Sequence, residues 1–292
     1  MSIIAFRDTN VLVQGITGNA ARHHVKNMLD YGTRIVAGVR PGSAGEDVHG
    51  VPVYNSIAEA CQAHRIDASI LFIPAKGVKD AALEAMKNGI HLLVIVTEHV
   101  PLHDAMLVFE EAKNRKVVII GPNTPGMISP PEKTVLGFVP TKYFMPGPMG
   151  VASRSGTLTY EFVSRLTAVG VGQSTVIGAG GDRMVGLRFR EALKLFEADP
   201  GTRAVLLVGE IGGSMEEEAA EMIVSGEVRK PVFVYIAGHT APQGKRLGHA
   251  GAIIAGSGGT VAMKLKTLQA AGAHVGNTIA VVIDMIKKTV GN

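Results

Sequence analysis

A histidine stands among glycines in the segment Gly244-Lys245-Arg246-Leu247-Gly248-His249-Ala250-Gly251. Glycines let a backbone crowd a ligand, and Lys245 and Arg246 bring positive charge just upstream. A neutral imidazole at physiological pH is a competent nucleophile toward phosphorus. A carboxylate on its other ring nitrogen would orient the ring and stabilise the charged adduct. Glu210 is the candidate partner, because the run Leu207-Val208-Gly209-Glu210-Ile211-Gly212-Gly213 sets it at a strand tip rather than on an exposed helix face. Ser214 is expected to cap the helix that follows. Its acidic first turn, Glu216-Glu217-Glu218, is read as serving the helix dipole and solvent. A third segment, Val151-Ala152-Ser153-Arg154-Ser155-Gly156-Thr157, reads as strand, Ser/Gly turn and helix. Ser155 or Thr157 can cap that helix, and its start can hold an anion. The competing reading is a serine nucleophile on an elbow. That elbow needs Gly-x-Ser-x-Gly, and Ser153 stands where its first glycine would be.

The first half offers a different kind of site. Gln14-Gly15-Ile16-Thr17-Gly18-Asn19 is a glycine turn after the first apolar run, leading into a helix N-terminus whose backbone N–H groups suit phosphate. A purely structural turn fits the same residues. The dinucleotide fingerprint Gly-x-Gly-x-x-Gly is incomplete, with only Gly15 and Gly18 present. The next strand ends on Arg40, where NAD binding wants an acidic residue. Arg40 suits a ligand carrying a phosphate on its ribose, which both NADP and coenzyme A have. Val96-Thr97-Glu98 ends the fourth apolar run, at the strand edge where such sheets take ligands; a capping role is the alternative. Cys61 falls on a helical pattern as a small buried filler.

Short apolar runs alternating with helical periodicity must position these residues. Strands are expected over 11–14, 34–39, 68–73, 92–97 and 117–120, with helices over 20–31, 78–88 and 103–114. After a break the alternation resumes, with strands over 149–153, 174–177, 204–208 and 231–236. Helices are expected over 157–168, 187–198, 215–224, 261–271 and 278–290. The strands are continuous apolar runs, as parallel strands covered on both faces are. The break, 121–148, is rich in proline and glycine and reads as a connection between two doubly wound α/β domains, placed at 1–125 and 126–292.

Composition narrows the function classes. A chain of 292 residues with 46% hydrophobic and 18% charged residues has a core and is not disordered. Its net charge of +4 is scattered, without basic runs or aromatic–basic interleaving, so nucleic acid is not expected as a partner. One cysteine excludes an intrachain disulfide and a cysteine metal cluster, and no metal site is read elsewhere. The start carries no signal-peptide or transit-peptide pattern, and no apolar run reaches the ~18 residues of a membrane helix. A cytoplasmic protein without membrane contact is expected.

The chain resembles the α subunits of succinyl-CoA synthetase. The resemblance rests on Gly209-Glu210-Ile211-Gly212-Gly213, on Ser153-Arg154-Ser155-Gly156-Thr157-Leu158-Thr159-Tyr160-Glu161, on residues 244–254, and on Gly121-Pro122-Asn123 with Pro125-Gly126. It spans almost the whole chain and implies an N-terminal Rossmann-like CoA-binding domain followed by a flavodoxin-like ligase domain. It implies that His249 is phosphorylated, that Glu210 contacts it, and that Ser155, Gly156 and Thr157 receive the phosphohistidine. Tyr160 matches a substrate-site tyrosine. Thr17, Gly18 and Asn19, with Val96, Thr97 and Glu98, match coenzyme A contacts. The family reaction passes phosphate from a nucleoside triphosphate (ATP or GTP, with Mg2+) to histidine, then to a carboxylic acid, whose phosphate the thiol of coenzyme A displaces. The triphosphate site lies on an ATP-grasp β subunit, in αβ or α2β2 assemblies. Succinate is the default acid, within the tricarboxylic acid cycle, and malate or another dicarboxylate is the alternative. From other classes, an NADP-dependent oxidoreductase and a non-catalytic CoA-binding regulator remain to be weighed. The chain departs from the family pattern in four places: Ser43 stands for a lysine near coenzyme A, Ala20-Ala21 stand where the first loop usually has a later glycine, Arg183 replaces a proline, and Thr124 replaces a cysteine.

Overall fold

The computed structural model describes residues 2–238, 248–253 and 259–291. The first half runs β1 (Val11–Gln14), α1 (Asn19–Tyr31), β2 (Ile35–Val39), β3 (Asp47–Val48), β4 (Val51–Tyr54), α2 (Ile57–Ala63), β5 (Ala68–Leu71), α3 (Val78–Lys87), β6 (Leu92–Ile95), α4 (Leu102–Arg115) and β7 (Val118–Ile120). Its sheet has the order β3-β4-β2-β1-β5-β6-β7. All neighbours are parallel except β3 and β4, which form an antiparallel hairpin at the edge. Without β3, that is the Rossmann order, reversing direction between β1 and β5.

The second half contains β8 (Gly126–Ser129), β9 (Thr134–Gly137), β10 (Pro146–Ser153), α5 (Gly156–Ala168), β11 (Gln173–Gly178), α6 (Phe189–Ala198) and β12 (Ala204–Glu210). It continues with α7 (Met215–Val224), β13 (Val232–Ala237), α8 (Val261–Ala270), β14 (His274–Val275) and α9 (Ile279–Val290). Its order is β14-β13-β12-β10-β11-β8-β9. The five strands β10 to β14 are parallel and follow the flavodoxin-like order, with the reversal between β10 and β12. The hairpin β8–β9 adds antiparallel to the free side of β11. Both expected folds are therefore present.

The expected connection over 121–148 needs correction. Residues 126–137 form a hairpin inside the second sheet, and β10 begins at Pro146. The hairpin also reaches back. Thr33, just after α1, exchanges two 2.9 Å hydrogen bonds with the Val135 backbone. Met127, Ile128, Val135 and Leu136 share one core with Val11, Val13, Val25 and Met28 of the first half. The period-2 alternation of a strand divides β1 accordingly: Val11 and Val13 face that shared core, while Leu12 faces a second one under α2, α3 and α4. No helix among the described residues is long and apolar enough to cross a membrane.

Candidate phosphoryl-transfer site at the second switch point

Parallel sheets take ligands at the carboxyl ends of the strands where the order reverses. In the second sheet that crevice lies between the ends of β10 and β12, and it collects the candidate residues. β12 ends on Glu210, buried among apolar strand residues. Its Oε2 lies 2.7 Å from Nδ1 of His249. A carboxylate can only accept, so Nδ1 carries a proton, and in the neutral ring the lone pair then sits on Nε2. The His249 side chain retains 28% of its exposure. The ring rests on Gly181, where an added Cβ would stand 2.6 Å from it. The upstream cations Lys245 and Arg246, like Ile254, lie outside the described residues.

Arg154 organises the crevice, and sequence reasoning missed it. It follows β10, is buried to 5%, and places Nη2 3.1 Å from Glu210 Oε1. It also donates to the carbonyls of Gly180 and Asp182, at 3.1 and 3.0 Å. One buried guanidinium thus neutralises the carboxylate behind His249 and ties down the loop beneath the ring. Its one legible signal is its place, between two candidate serines at a strand end.

Ser155 caps α5, its Oγ accepting from the Leu158 amide at 3.3 Å, while Ser153 Oγ donates to the Ser155 carbonyl at 2.9 Å. Gly156 and Thr157 form the first turn, where amides lack intrahelical acceptors. Arg154, paired with Glu210, directly precedes these three residues in the chain. Tyr160 follows on the same helix. Its hydroxyl donates to the Phe138 carbonyl at 3.4 Å, and burial pushes it up to about 12. Phe138 in turn meets His24, which stacks on Phe72 at the wall of the first-half cavity.

The expectation for the acidic turn of α7 is overturned. Glu216 is buried and bonded to Lys264, Glu217 also meets Lys264 at 3.0 Å, and Glu218 pairs with Arg188. Ser214 gives α7 no side-chain cap; its hydroxyl donates to Glu218 Oε1 at 2.7 Å instead. A charge on a short amphipathic helix reads as solvated in sequence, and only the tertiary partner reverses that reading.

In the first sheet, the switch point between β1 and β5 opens into a cavity of about 490 Å3, lined in part by Gly15, Thr17, Gly18, Arg40, Ile73 and Pro74. The exposed Arg40 donates to Thr17 Oγ1 at 2.7 Å. Asn19 opens α1 beside them, with Ala20 and the buried Ala21 next on that helix. Thr97 lies one strand over and donates to the Ile73 carbonyl at 2.6 Å. Val96 is half-buried, and Glu98 is exposed, 3.7 Å from His99. Ser43 is buried in a turn closed onto the Arg40 carbonyl. An anion-receptive helix start, an arginine and an apolar wall suit a nucleotide with a ribose phosphate, so these residues fit coenzyme A.

Asn123 joins the two switch points. Its backbone donates to the Thr97 carbonyl, its carbonyl accepts from Gly181, and its amide donates to Asp182 Oδ1 at 3.2 Å. Burial pushes the Asp182 carboxyl up, against the Asn123 amide and His99. Thr124, beside it, donates to the Gly178 carbonyl at 2.5 Å, so the residue that replaces a cysteine stitches the hairpin to β11.

Comparison with known proteins agrees with this division. Residues 6–99 match the CoA binding domain family, and residues 152–274 match the CoA-ligase family. The chain is 52% identical to "Succinate--CoA ligase [ADP-forming] subunit alpha 2" of Archaeoglobus fulgidus, over 98% of this chain and 99% of that one. It is 51% identical to the subunit alpha of the same name from Methanothermobacter thermautotrophicus, over 99% and 97%. Among solved structures, ATP citrate lyase from Methanothrix soehngenii superposes with a TM-score of 0.87 at 23% identity, covering 98% of this chain and 52% of that one. The chain therefore spans about half the length of that structure, and the likeness speaks to the fold alone. Neither the NADP-dependent oxidoreductase nor the non-catalytic regulator is favoured by these relatives. With half its residues identical to theirs from end to end, the chain belongs to the family of succinate–CoA ligase α subunits.

Proposed function

We propose that this chain is the catalytic α subunit of an ADP-forming acid–CoA ligase that makes succinyl-CoA, or runs the reaction in reverse, through a phosphorylated His249. The 2.7 Å contact between His249 Nδ1 and Glu210 Oε2 carries the reading, because it leaves Nε2 free to attack phosphorus. The bond from Nε2 to the γ-phosphorus forms as the bond to the ADP oxygen breaks, and Glu210 holds the positive charge left on the ring. The N-terminus of α5, at Ser155, Gly156 and Thr157, offers amides to the phosphoryl oxygens. A carboxylate of the acid then takes the phosphoryl group, and Nε2 recovers its lone pair. Sulfur of coenzyme A displaces phosphate from the acyl carbon, giving the thioester. Thr17, Gly18, Asn19 and Arg40, with Val96, Thr97 and Glu98, grip coenzyme A, and Tyr160 serves the acid site. ATP and Mg2+ are supplied by an ATP-grasp β subunit, in an αβ or α2β2 assembly. The domains divide at 125/126, where the second sheet's first strand begins. The setting is cytoplasmic, in keeping with the free Cys61.

The relatives named for succinate and for ADP formation support this acid and this nucleotide; malate is the second acid. The test mixes the chain with its β partner and γ-labelled ATP. Acid-labile label is expected on the wild-type chain and none on His249→Ala; label persisting in that variant overturns the reading. Thioester formation across a panel of dicarboxylic acids, succinate first and malate second, then identifies the substrate.

A further inference from the structure

The site has a buried foundation that the phosphoryl mechanism does not use. Glu216 sits on the first turn of α7, directly behind the tip of β12. Its Oε1 accepts the backbone N–H of Glu210 at 3.1 Å. Its Oε2 is bonded to Nζ of Lys264, a fully buried lysine from α8, 48 residues further along the chain. The same Nζ donates to the Gly213 carbonyl at 3.1 Å and to Glu217 Oε2 at 3.0 Å. A lysine ammonium has three N–H donors, and here all three are used. Lys264 therefore pins both ends of the turn that runs from Glu210 into α7. It pins the Gly213 end directly and the Glu210 end through Glu216.

The close approach has left a mark on the sequence. A Cβ on Gly209 would stand 2.2 Å from Glu216 Oε1, so residue 209 must be glycine for the carboxylate to reach the strand. Burial pushes the Glu216 carboxyl up, and Lys264 and the Glu210 amide oppose that shift. A buried ion pair is a poor source of net stability, and well-packed apolar residues often replace one without loss. What an apolar pair does not reproduce is the bond to the Glu210 amide.

We propose that Glu216 and Lys264 are positioning residues for phosphoryl transfer, fixing the backbone of Glu210 and so the aim of its carboxylate at His249. The inference rests on the phosphohistidine reading above. It predicts an effect that passes through Glu210 alone, which a merely structural pair would not show.

The test is a mutant cycle on the complete complex with its β partner, reading single-turnover transfer of label from γ-labelled ATP to His249. Glu216→Leu with Lys264→Met removes both charges, keeps an apolar filling and takes away the acceptor of the Glu210 amide. A displaced carboxylate of ~1 Å is expected to slow transfer by about 100-fold. In a Glu210→Gln background the same pair of substitutions is expected to cost less than about threefold more, because residues acting through one group are not additive. Glu216→Asp covers the case in which that double variant does not fold. It keeps both charges but withdraws the carboxylate, and a loss of about tenfold is expected, again absent when residue 210 is glutamine. Unchanged transfer, or equal losses in both backgrounds, overturns the proposal. Label that never reaches the wild-type chain sinks the phosphohistidine reading and this inference with it, whereas label on the wild type with additive losses sinks this inference alone.

Discussion

The two switch points of this chain solve binding in opposite ways. The second is built from charges removed from water: Arg154, Glu210, Glu216 and Lys264 are all nearly or fully buried and paired with one another or with backbone. The first is an open cavity in which an exposed Arg40 leans on a threonine hydroxyl, lined further by glycines, an apolar wall and the polar residues Gln14, Asn55, Asp80 and Glu84. Buried charges tolerate little change, because removing one partner strands the other. An open site can lose a side chain and keep its shape. The departures from the family pattern fall on both sides: Ala20, Ala21 and Ser43 lie in the elements beside the first cavity and Thr124 and Arg183 beside the second, while Ser153 to Thr157, Glu210 and His249 keep their pattern.

The sharpest way to break this comparison sets two arginines side by side. Arg154→Met leaves Glu210 buried without its ion-pair partner and is expected to cost about 3–5 kcal/mol of stability. Arg40→Met is expected to change stability by less than about 0.5 kcal/mol and to weaken coenzyme A binding by about tenfold, ~1.4 kcal/mol. Urea unfolding and calorimetric titration check both, and similar stability losses would erase the distinction.

A smaller effect separates two carboxylates by pH. Burial raises Asp182, so the folded state holds its proton more tightly than the unfolded state. The ionised group therefore costs stability at neutral pH, and the cost is relieved as pH falls through its raised value toward 3.8. Asp182→Asn is expected to raise the thermal midpoint at pH 7, with the gain fading in acid. For Glu218, desolvation by burial raises the carboxyl, but Arg188 and Ser214 outweigh it, and the net direction is down. Its contribution is present above 4.5 and is lost as pH falls through the lowered value, so Glu218→Gln lowers the midpoint at pH 7 and converges with wild type in acid. Thermal scans from pH 7 to about pH 3 read both signs. The smallest expected effect is a gain. Ser43→Lys returns a cation to the turn after Arg40, whose ammonium must reach out of a buried position, and should tighten coenzyme A by no more than about 0.5–1 kcal/mol, leaving labelling of His249 unchanged.

The central parallel strands were legible because burial on both faces writes them as unbroken apolar runs, whereas the two-residue edge strand β14 was not. The 46–54 hairpin was not, since two and four residues around Gly50 and Pro52 carry no period. The 126–137 hairpin was hidden by the prolines around it: Pro125, Pro130 and Pro131 mark turns, and β8 and β9 are four residues each. Glu210 and His249 could be paired from sequence because each stands among glycines at an element end. Arg154 could not be weighed, because nothing in its neighbours says that its side chain turns inward. Lys264 and Glu216 were out of reach for a plainer reason: attraction between them exists only once α7 and α8 lie side by side, and each alone looks like ordinary helix surface.

The β8–β9 hairpin makes the two halves unequal heirs of a single gene. Its hydrogen bonds tie it to the second sheet, while its side chains and the Val135 backbone close the core beneath α1. A graft that moved residues 1–125 onto another ligase would set Val11, Val13 and Met28 against the recipient's own hairpin. A graft extended to residue 137 would carry the lid for that core, and would set the donor hairpin against β11 of the recipient sheet. Recombination between relatives can therefore exchange these halves only where the hairpin on one side still matches α1 on the other.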